Sequence, residues 1–382
     1  MSELMNVPVG REDFRWRLLA TVSALALAAG AICPKAAEAS DKPSVWIELG
    51  GQLERIDGGW EPYLPPFTRL PLAPYSPISP TQAQEPPAHS YGGEGKISFE
   101  PGNSGWIFSA AVRYGRSNNN KHVHQQTAIT TPNPLATLVP TQPIFSYAQF
   151  ADFKTKNREA HAIVDFMVGR DVGLGLFGRE SSAQFDAGVR FAQFSSSSNV
   201  KILARPDVQF VPYPIIFLPG KYYLVPTHHD FIASASNRES FHGVGPSVSF
   251  DASTPLFGNA EAGSIGIDWG VNAAVLFGRQ KSRGEHATEA RHFDKGYATP
   301  TQSTSPPPTY EHGGAHNRSR SVVVPNVGGF AGFSFHYPGT KISFGYRADF
   351  FFGAMDAGID ARHTVDRNFY GPYASISIGL GG

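Results

Sequence analysis

Apolar and polar residues alternate one by one along many stretches of the chain. Between positions 104 and 114, apolar residues that include Trp106 and Phe108 alternate with polar residues that include Ser109 and Arg113. Because successive side chains of a strand point to opposite faces of a sheet, this period of two predicts strands that are buried on one face. The same pattern recurs at 160–168, 184–191 and 341–352.

The alternation predicts ten strands joined by connections of unequal length. The strands are predicted at 45–53, 91–100, 105–116, 157–169, 183–197, 239–253, 263–279, 320–337, 340–355 and 371–381. Long connections (54–90, 117–156, 198–238 and 280–319) alternate with shorter ones (101–104, 170–182, 254–262 and 338–339), and 356–370 is intermediate. Long outer loops alternating with short periplasmic turns are typical of an antiparallel transmembrane β-barrel, which is the all-β fold that we predict.

Segment 198–238 leaves the number of strands open. Its two extended stretches, 201–210 and 221–235, either lengthen the flanking strands beyond the membrane or form an additional hairpin. The first arrangement gives ten strands and the second gives twelve, and we expect ten. The sequence SNNNKHVHQQ at 117–126 and the proline-rich stretch between Trp60 and Pro87 are expected to be loops with little regular structure, since proline cannot donate to a strand ladder.

Charged residues within the predicted strands favour a membrane barrel over a soluble sandwich. They lie opposite the apolar face, where a barrel has its lumen, while aromatic residues gather near strand ends as at membrane interfaces (Trp46, Trp106, Tyr114, Tyr337 and Tyr370). Barrels of about eight strands are filled by side chains, and those of about 16 strands leave a channel. A barrel of about ten strands is therefore compatible with either a narrow pore or a plugged lumen. The residues predicted to line the lumen are Lys96, Glu100, Arg113, Asp165, Asp186, Arg190, Asp251, Asp268, Arg347 and Asp349.

The first 39 residues are predicted to be a cleaved signal peptide, and 40–382 the outer-membrane barrel. Basic residues near the start precede an apolar run at 18–32, which is shorter than the about 20 residues of a spanning helix, and Ala37-Glu38-Ala39 fits a cleavage site. The single cysteine, Cys33, lies in this segment. The exported chain is therefore predicted to have no disulfide, zinc thiolate or cysteine nucleophile.

Composition and motifs argue against an enzyme or a nucleic-acid-binding protein. The chain has 32 Lys and Arg residues against 32 Asp and Glu, so bulk charge does not attract nucleic acid. Histidines pair in predicted loops, as in His122-x-His124, but no carboxylate lies at metal-site spacing in the sequence. No nucleophile signature such as G-x-S-x-G is present. We therefore predict no catalytic residues, no metal and no cofactor.

Four segments resemble a known protein family. They are GVGPSVSFDASTPL (243–256), SVVVPNVGGFAGFSF (321–335), ISFGYRADFFFGAMDAGID (342–360) and GPYASISIGLG (371–381). The chain resembles the pore-forming, major-outer-membrane-protein type of barrel in Gram-negative bacteria, mainly over 157–195 and 240–382. The resemblance implies a porin-like protein whose exposed loops are open to adhesion roles.

Two functions follow as hypotheses. The first is passive diffusion of small hydrophilic solutes through the lumen. The alternative is a surface structural or adhesion barrel that acts through its long loops and has a plugged lumen. The expected partners are outer-membrane lipid, the barrel assembly machinery and host or matrix ligands at the loops.

The loop pattern predicts the orientation of the barrel. An epitope inserted at Asn133 in the long segment 117–156 should be labelled by antibody on intact cells, because the long connections are expected outside. The short turn at 338–339 is the matched control and should be labelled only after permeabilisation. The reverse pattern would invert the predicted topology.

Overall fold

The structure is a computed structural model that describes residues 45–58, 61–65, 84, 89–131, 145–172, 182–214, 219–220, 222–259, 263–294 and 305–380. The predicted signal peptide and Asn133 lie outside these residues. The predicted all-β class is confirmed, because the described chain is almost entirely strand, with one short 3₁₀ turn at Pro101–Asn103. No helix long and apolar enough to cross a membrane occurs in these residues.

Eleven strands follow one another along the chain. Their bounds are β1 Val45–Asp57, β2 Ser90–Phe99, β3 Trp106–Thr131, β4 Phe145–Asp171, β5 Ser182–Arg205, β6 Gln209–Pro214, β7 Tyr222–Asn259, β8 Gly263–Phe293, β9 Tyr310–Tyr337, β10 Thr340–Asp356 and β11 Thr364–Leu380. All pairings between them are antiparallel.

The sheet closes into a ring of ten strands. Its order is β5-β4-β3-β2-β1-β11-β10-β9-β8-β7, and an additional pairing between β5 and β7 joins the two ends. The short strand β6 stays outside the ring and, within the described part of the chain, pairs with the first residues of β7 alone, from Gln209↔Thr227 to Pro214↔Tyr222. The prediction of ten strands in the barrel wall is therefore confirmed, and segment 198–238 both lengthens its flanking strands and adds this small hairpin.

The prediction of irregular loops is wrong for most of the long connections, because strands continue through them. The ladder between β3 and β4 is unbroken from Trp106↔Arg170 to Thr131↔Phe145, so SNNNKHVHQQ is strand rather than irregular loop. Segment 280–319 likewise consists largely of β8 and β9. Beyond the membrane, backbone hydrogen bonds between the strands keep such a ladder together in water, and no apolar outer face is needed. These strand segments therefore lack the alternation of apolar and polar residues from which strands were predicted.

An apolar belt surrounds the outside of the ring. One register row runs through Val112, Val164, Phe191, Val244, Phe277 and Val323 on six strands in succession. Outward side chains such as Val189 and Phe344 are 40% and 45% exposed, whereas Arg190 next to Val189 is 4% exposed. The outer face is thus apolar and the inner face polar at this level, as the period of two requires.

Arginine on the apolar belt should prevent folding into bilayers. Val189→Arg and Phe344→Arg place a charge on the lipid-facing side, which costs about 2–4 kcal/mol near the membrane midplane. Folding into lipid vesicles, measured by the heat-dependent gel shift over a urea series, should fail at urea concentrations where wild type folds. Val189→Leu and Phe344→Leu are the matched controls and should fold normally. Normal folding of both arginine variants would show that these positions do not face lipid.

Candidate functional site

The interior of the ring is crossed by an ion pair between distant strands. Arg113 on β3 places Nη1 2.5 Å from Oδ2 of Asp349 on β10, although β2, β1 and β11 separate these strands in the ring. Asp349 is 1% exposed. An interior narrow enough for one side-chain pair to cross it leaves no wide central channel at this level.

Arg190 makes a second crossing contact. Its Nε lies 2.6 Å from Oδ1 of Asp165, its register partner on β4. The same guanidinium donates from Nη1 to Oδ1 of Asn272 on β8 at 2.7 Å and also to Asn326 on β9. Neither asparagine was predicted as an interior residue. Both asparagines occupy polar positions of the alternating pattern, but the prediction selected only charged residues, and an asparagine side chain is uncharged.

The remaining predicted interior residues, except Glu100, join the same polar layer. Asp268 accepts from Lys341 Nζ at 2.6 Å and from Ser253 Oγ at 2.6 Å. Arg347 contacts Glu94, and Asp186 contacts Gln184 and Ser249. Lys96 makes no direct ion pair among the described residues, but it lies near enough to Asp251 and Asp186 to interact with them electrostatically. Glu94 and Lys341 were missed by the sequence prediction.

Glu100 does not belong to the barrel wall. It lies one residue beyond β2, in the turn to β3, where its Oε1 accepts a hydrogen bond from Gly105 N at 2.9 Å. Its prediction as a lumen-lining residue is wrong because β2 ends at Phe99, which removes Glu100 from the strand alternation.

An apolar layer lies next to the polar one in the direction of the longer strand ends. Phe194 follows Arg190 on the inner face of β5 and is 0% exposed. Its ring centroid lies 5.6 Å from that of Phe241, 4.7 Å from Phe351 and 5.3 Å from Phe369. These rings come from β5, β7, β10 and β11, and Leu276, Val324 and Met355 complete the buried cluster. The rings meet across the interior and close it.

Buried polar side chains fill the interior beside the same rings. Arg367 on β11 pairs with Glu159 on β4, and both side chains are almost fully buried. His161 Nε2 lies 3.3 Å from Oε1 of Glu54, which also accepts from Ser90 Oγ at 3.0 Å. His161 is the register partner of Phe194 and its ring centroid lies 4.1 Å from that of Phe369, while Arg367 is the register partner of Phe351, so these buried polar groups lie directly against the phenylalanine rings.

Tyr63 brings the connection between β1 and β2 into the outer interior. It is 5% exposed and belongs to a second buried apolar cluster with Phe153, Ile202 and Phe231. Its hydroxyl forms a hydrogen bond with Thr288, and its backbone N and O both bind the side-chain amide of Gln84 at 2.9 Å. A residue from outside the wall thus caps the interior.

The fold places a carboxylate beside His122 and His124 that their sequence spacing did not indicate. Pairing of β3 with β4 brings Asp152 beside both, and one ligand atom from each of the three residues lies within 4.8 Å of the others. This set has the atom types of a transition-metal site. However, Asp152 Oδ1 already contacts His122 Nε2 at 2.6 Å and Lys154 Nζ lies 3.3 Å from Oδ2, so a metal ion would have to displace an ammonium group.

Other histidines also lie on strands rather than in the predicted loops. On β7, burial and then the nearby Arg205 guanidinium lower the pKa of His228 to about 4, so it is neutral at pH 7. Its ring stacks on Phe293 with centroids 4.6 Å apart. On β9, His316 Nε2 lies 3.0 Å from Ser282 Oγ, but Ser282 is only 1% exposed and is shut off from any substrate.

A closed ring with an apolar outer belt and a charged interior defines an outer-membrane β-barrel. The chain belongs to the Legionella pneumophila major outer membrane protein family, whose model matches residues 106–379. The resemblance inferred from the sequence is thereby confirmed. No curated protein matches the chain.

Several solved outer-membrane structures are similar to the chain. The CymD monoaromatic hydrocarbon channel has 7% identity and a TM-score of 0.23, with 89% of this chain and 90% of that one covered. The translocator domain of autotransporter NalP from Neisseria meningitidis has 9% identity and a TM-score of 0.19, with 97% and 98% covered. The transport unit of autotransporter AIDA-I from Escherichia coli has 7% identity and a TM-score of 0.20, with 94% and 97% covered. Likenesses of this size carry no argument about function.

The ion pair across the interior should be coupled energetically. Arg113→Ala and Asp349→Ala each leave one buried charge unpaired, which costs about 3–5 kcal/mol, so both should lower the free energy of unfolding. The double variant should lose less than the sum of the two. Urea unfolding in detergent micelles measures all three, and Arg116→Ala, on the outward face of β3, is the control. Additive losses would show that Arg113 and Asp349 do not interact.

Proposed function

We propose that this protein is a closed surface barrel of the outer membrane that acts through its outer walls and loops, with no catalytic function. The observation that carries the proposal is the layer of rings around Phe194, which meets across the interior from four strands. A hydrated solute that crossed this layer would have to displace packed rings and give up water, and the polar groups beside the rings are already paired, Arg367 with Glu159 and His161 with Glu54.

The layers on both sides of the rings support the same conclusion. Arg113 with Asp349 crosses the interior on one side, and Tyr63 with Phe153 fills it on the other. Three successive levels are therefore occupied by side chains. In this respect the barrel is closer to the filled barrels of about eight strands than to the open ones of about 16.

The length of the strands favours a role at the surface. A membrane needs about 9–11 residues per tilted strand, whereas β7 has 38 residues and β8 has 31. The excess forms a polar wall that extends well beyond the belt. Such a wall offers a large surface to host or matrix ligands and to neighbouring outer-membrane components.

A gated pore for small hydrophilic solutes is the second candidate. The polar layer favours it, since Lys96, Asp251, Asp186 and Asp268 place charges of both signs inside the membrane-spanning part. A purely structural barrel could fill this space with apolar residues at lower cost. In this alternative, the rings around Phe194 are the gate.

Single-channel recording distinguishes the two proposals. If the barrel is closed, neither wild type nor Phe194→Ala/Phe351→Ala should show steady conductance in planar bilayers, because Arg113 with Asp349 and Tyr63 with Phe153 still fill the levels on both sides. If the rings are the gate of a pore, the variant should conduct steadily and wild type should not. The control is Phe191→Ala/Phe344→Ala, which removes two rings from the lipid-facing side. The heat-dependent gel shift selects folded protein in every case. Steady conductance of the ring variant alone would overturn the closed barrel and favour the gated pore, and equal steady conductance of wild type would favour an open diffusion pore.

A further inference from the structure

A dense set of cations covers the outer wall next to the apolar belt. It occupies outward positions on five strands that are neighbours in the ring: β3, β4, β5, β7 and β8. We name it the basic band, and its members are Arg116, Lys154, Lys156, Arg158, Lys201, Arg238, Arg279, Lys281 and Arg283. Over the same stretch of these strands the outward positions carry three acidic residues, Asp152, Glu285 and Glu289.

The basic band begins where the apolar belt ends. On β8, Arg279 is the next outward residue after Phe277, which is 56% exposed. On β3, Arg116 follows Tyr114, which is 40% exposed. The cations therefore start at the level where lipid acyl chains give way to head groups, on the side of the longer strand ends.

Two pairs of like charges in the basic band lie directly opposite one another. Arg238 on β7 is the register partner of Arg283 on β8, and Lys154 on β4 is the register partner of Lys201 on β5. Opposite residues on antiparallel strands have Cβ atoms about 4.5–5.5 Å apart, and like charges there destabilise the pair. Arg238 and Arg283 are thus held in an arrangement that is unfavourable unless an anion lies between them, whereas Lys154 in the second pair also has Asp152 Oδ2 at 3.3 Å.

Most of the basic band has no acidic partner within the protein. Lys154 contacts Asp152. Seven other members of the basic band form no ion pair with any described residue: Arg116, Lys156, Arg158, Lys201, Arg238, Lys281 and Arg283. One register row combines Arg158, Ser197, Arg238 and Arg283 on adjacent strands. Three guanidinium groups and a hydroxyl in one row are a donor set suited to phosphate oxygens.

We infer that the basic band binds the phosphate groups of the glycolipid in the outer leaflet, lipopolysaccharide. Its acyl chains would contact the apolar belt while its phosphates lie between Arg238 and Arg283 and between Lys154 and Lys201. A lipid accounts for both observations at once, because the apolar belt and the cations are continuous along the same strands. The inference rests on the longer strand ends facing outside and not on whether the interior conducts.

Removal of the opposed cations should weaken lipopolysaccharide binding selectively. Arg238→Gln/Arg283→Gln and Lys154→Gln/Lys201→Gln should each lower the affinity of folded protein in detergent for purified lipopolysaccharide by about ten-fold or more, as measured by native mass spectrometry. Arg55→Gln/Arg362→Gln removes the same charge from exposed positions elsewhere and should bind as wild type does. Lipopolysaccharide stripped of its phosphates should bind wild type as weakly as intact lipid binds the variants.

Thermal unfolding gives a second readout that separates binding from folding. Without glycolipid, Arg238→Gln/Arg283→Gln should unfold at the same temperature as wild type or higher, since it relieves repulsion. With glycolipid, it should gain less stability than wild type. Equal affinity of wild type and both variants, or equal affinity for stripped and intact lipid, would overturn the inference. Inorganic phosphate that displaced the lipid at comparable concentration would also overturn it, by showing an adventitious anion site only.

Discussion

The pairing of β5 with β7 is the interaction on which the rest of the structure depends. Without it, the ten-strand sheet would have two long open edges, and every unpaired N–H and C=O at those edges would be unsatisfied in lipid. The ladder runs from Ser182↔Ser253 to Ala204↔Phe231, so the ring is closed over its whole height and beyond the membrane. Closure also separates an inside from an outside, and the strict alternation of side chains then gives each residue one of two environments.

Ten strands make the interior so narrow that side chains from opposite walls touch. This is why Arg190 reaches asparagines on β8 and β9 and why Phe194 contacts Phe351 on the far side of the ring. In a wider barrel the same residues would line a channel and face water. The interior charges therefore form a packed polar core in which ion pairs such as Arg113 with Asp349 and Arg190 with Asp165 hold the walls together. The question of function then becomes whether this packing can open.

The sequence was sufficient to predict the strands that cross the membrane, but not the ends of those strands or the contents of the barrel. Lipid on one side forces the alternation seen around Val189 and Arg190, and any strand exposed to lipid shows it. Beyond the membrane nothing forces an apolar outer face, so the extension of β3 through His122 to Thr131 gave no signal of the expected kind. The contact of Asp152 with His122 was hidden for the same reason, because it follows from a strand pairing that was not predicted. Contacts across the ring, such as Arg113 with Asp349, depend on strand order and width, which no local pattern encodes.

A signal for the closed interior was nevertheless present on β5. Its inner face carries Arg190 within the belt, and then Phe194, Val200 and Ile202, while its outer face changes from Phe191 to Ser195 and Lys201. The apolar side of the strand therefore changes from outside to inside where the lipid ends. The reason is physical, since a wall in lipid can be apolar outside, but a wall in water must bury its apolar residues within the ring. The outer half of the barrel is thus built like a soluble protein with its own core, and the basic band begins on the other face of the same strands. The apolar and polar faces of the strands exchange places where the membrane ends, and this exchange produces both the closed interior and the charged outer wall.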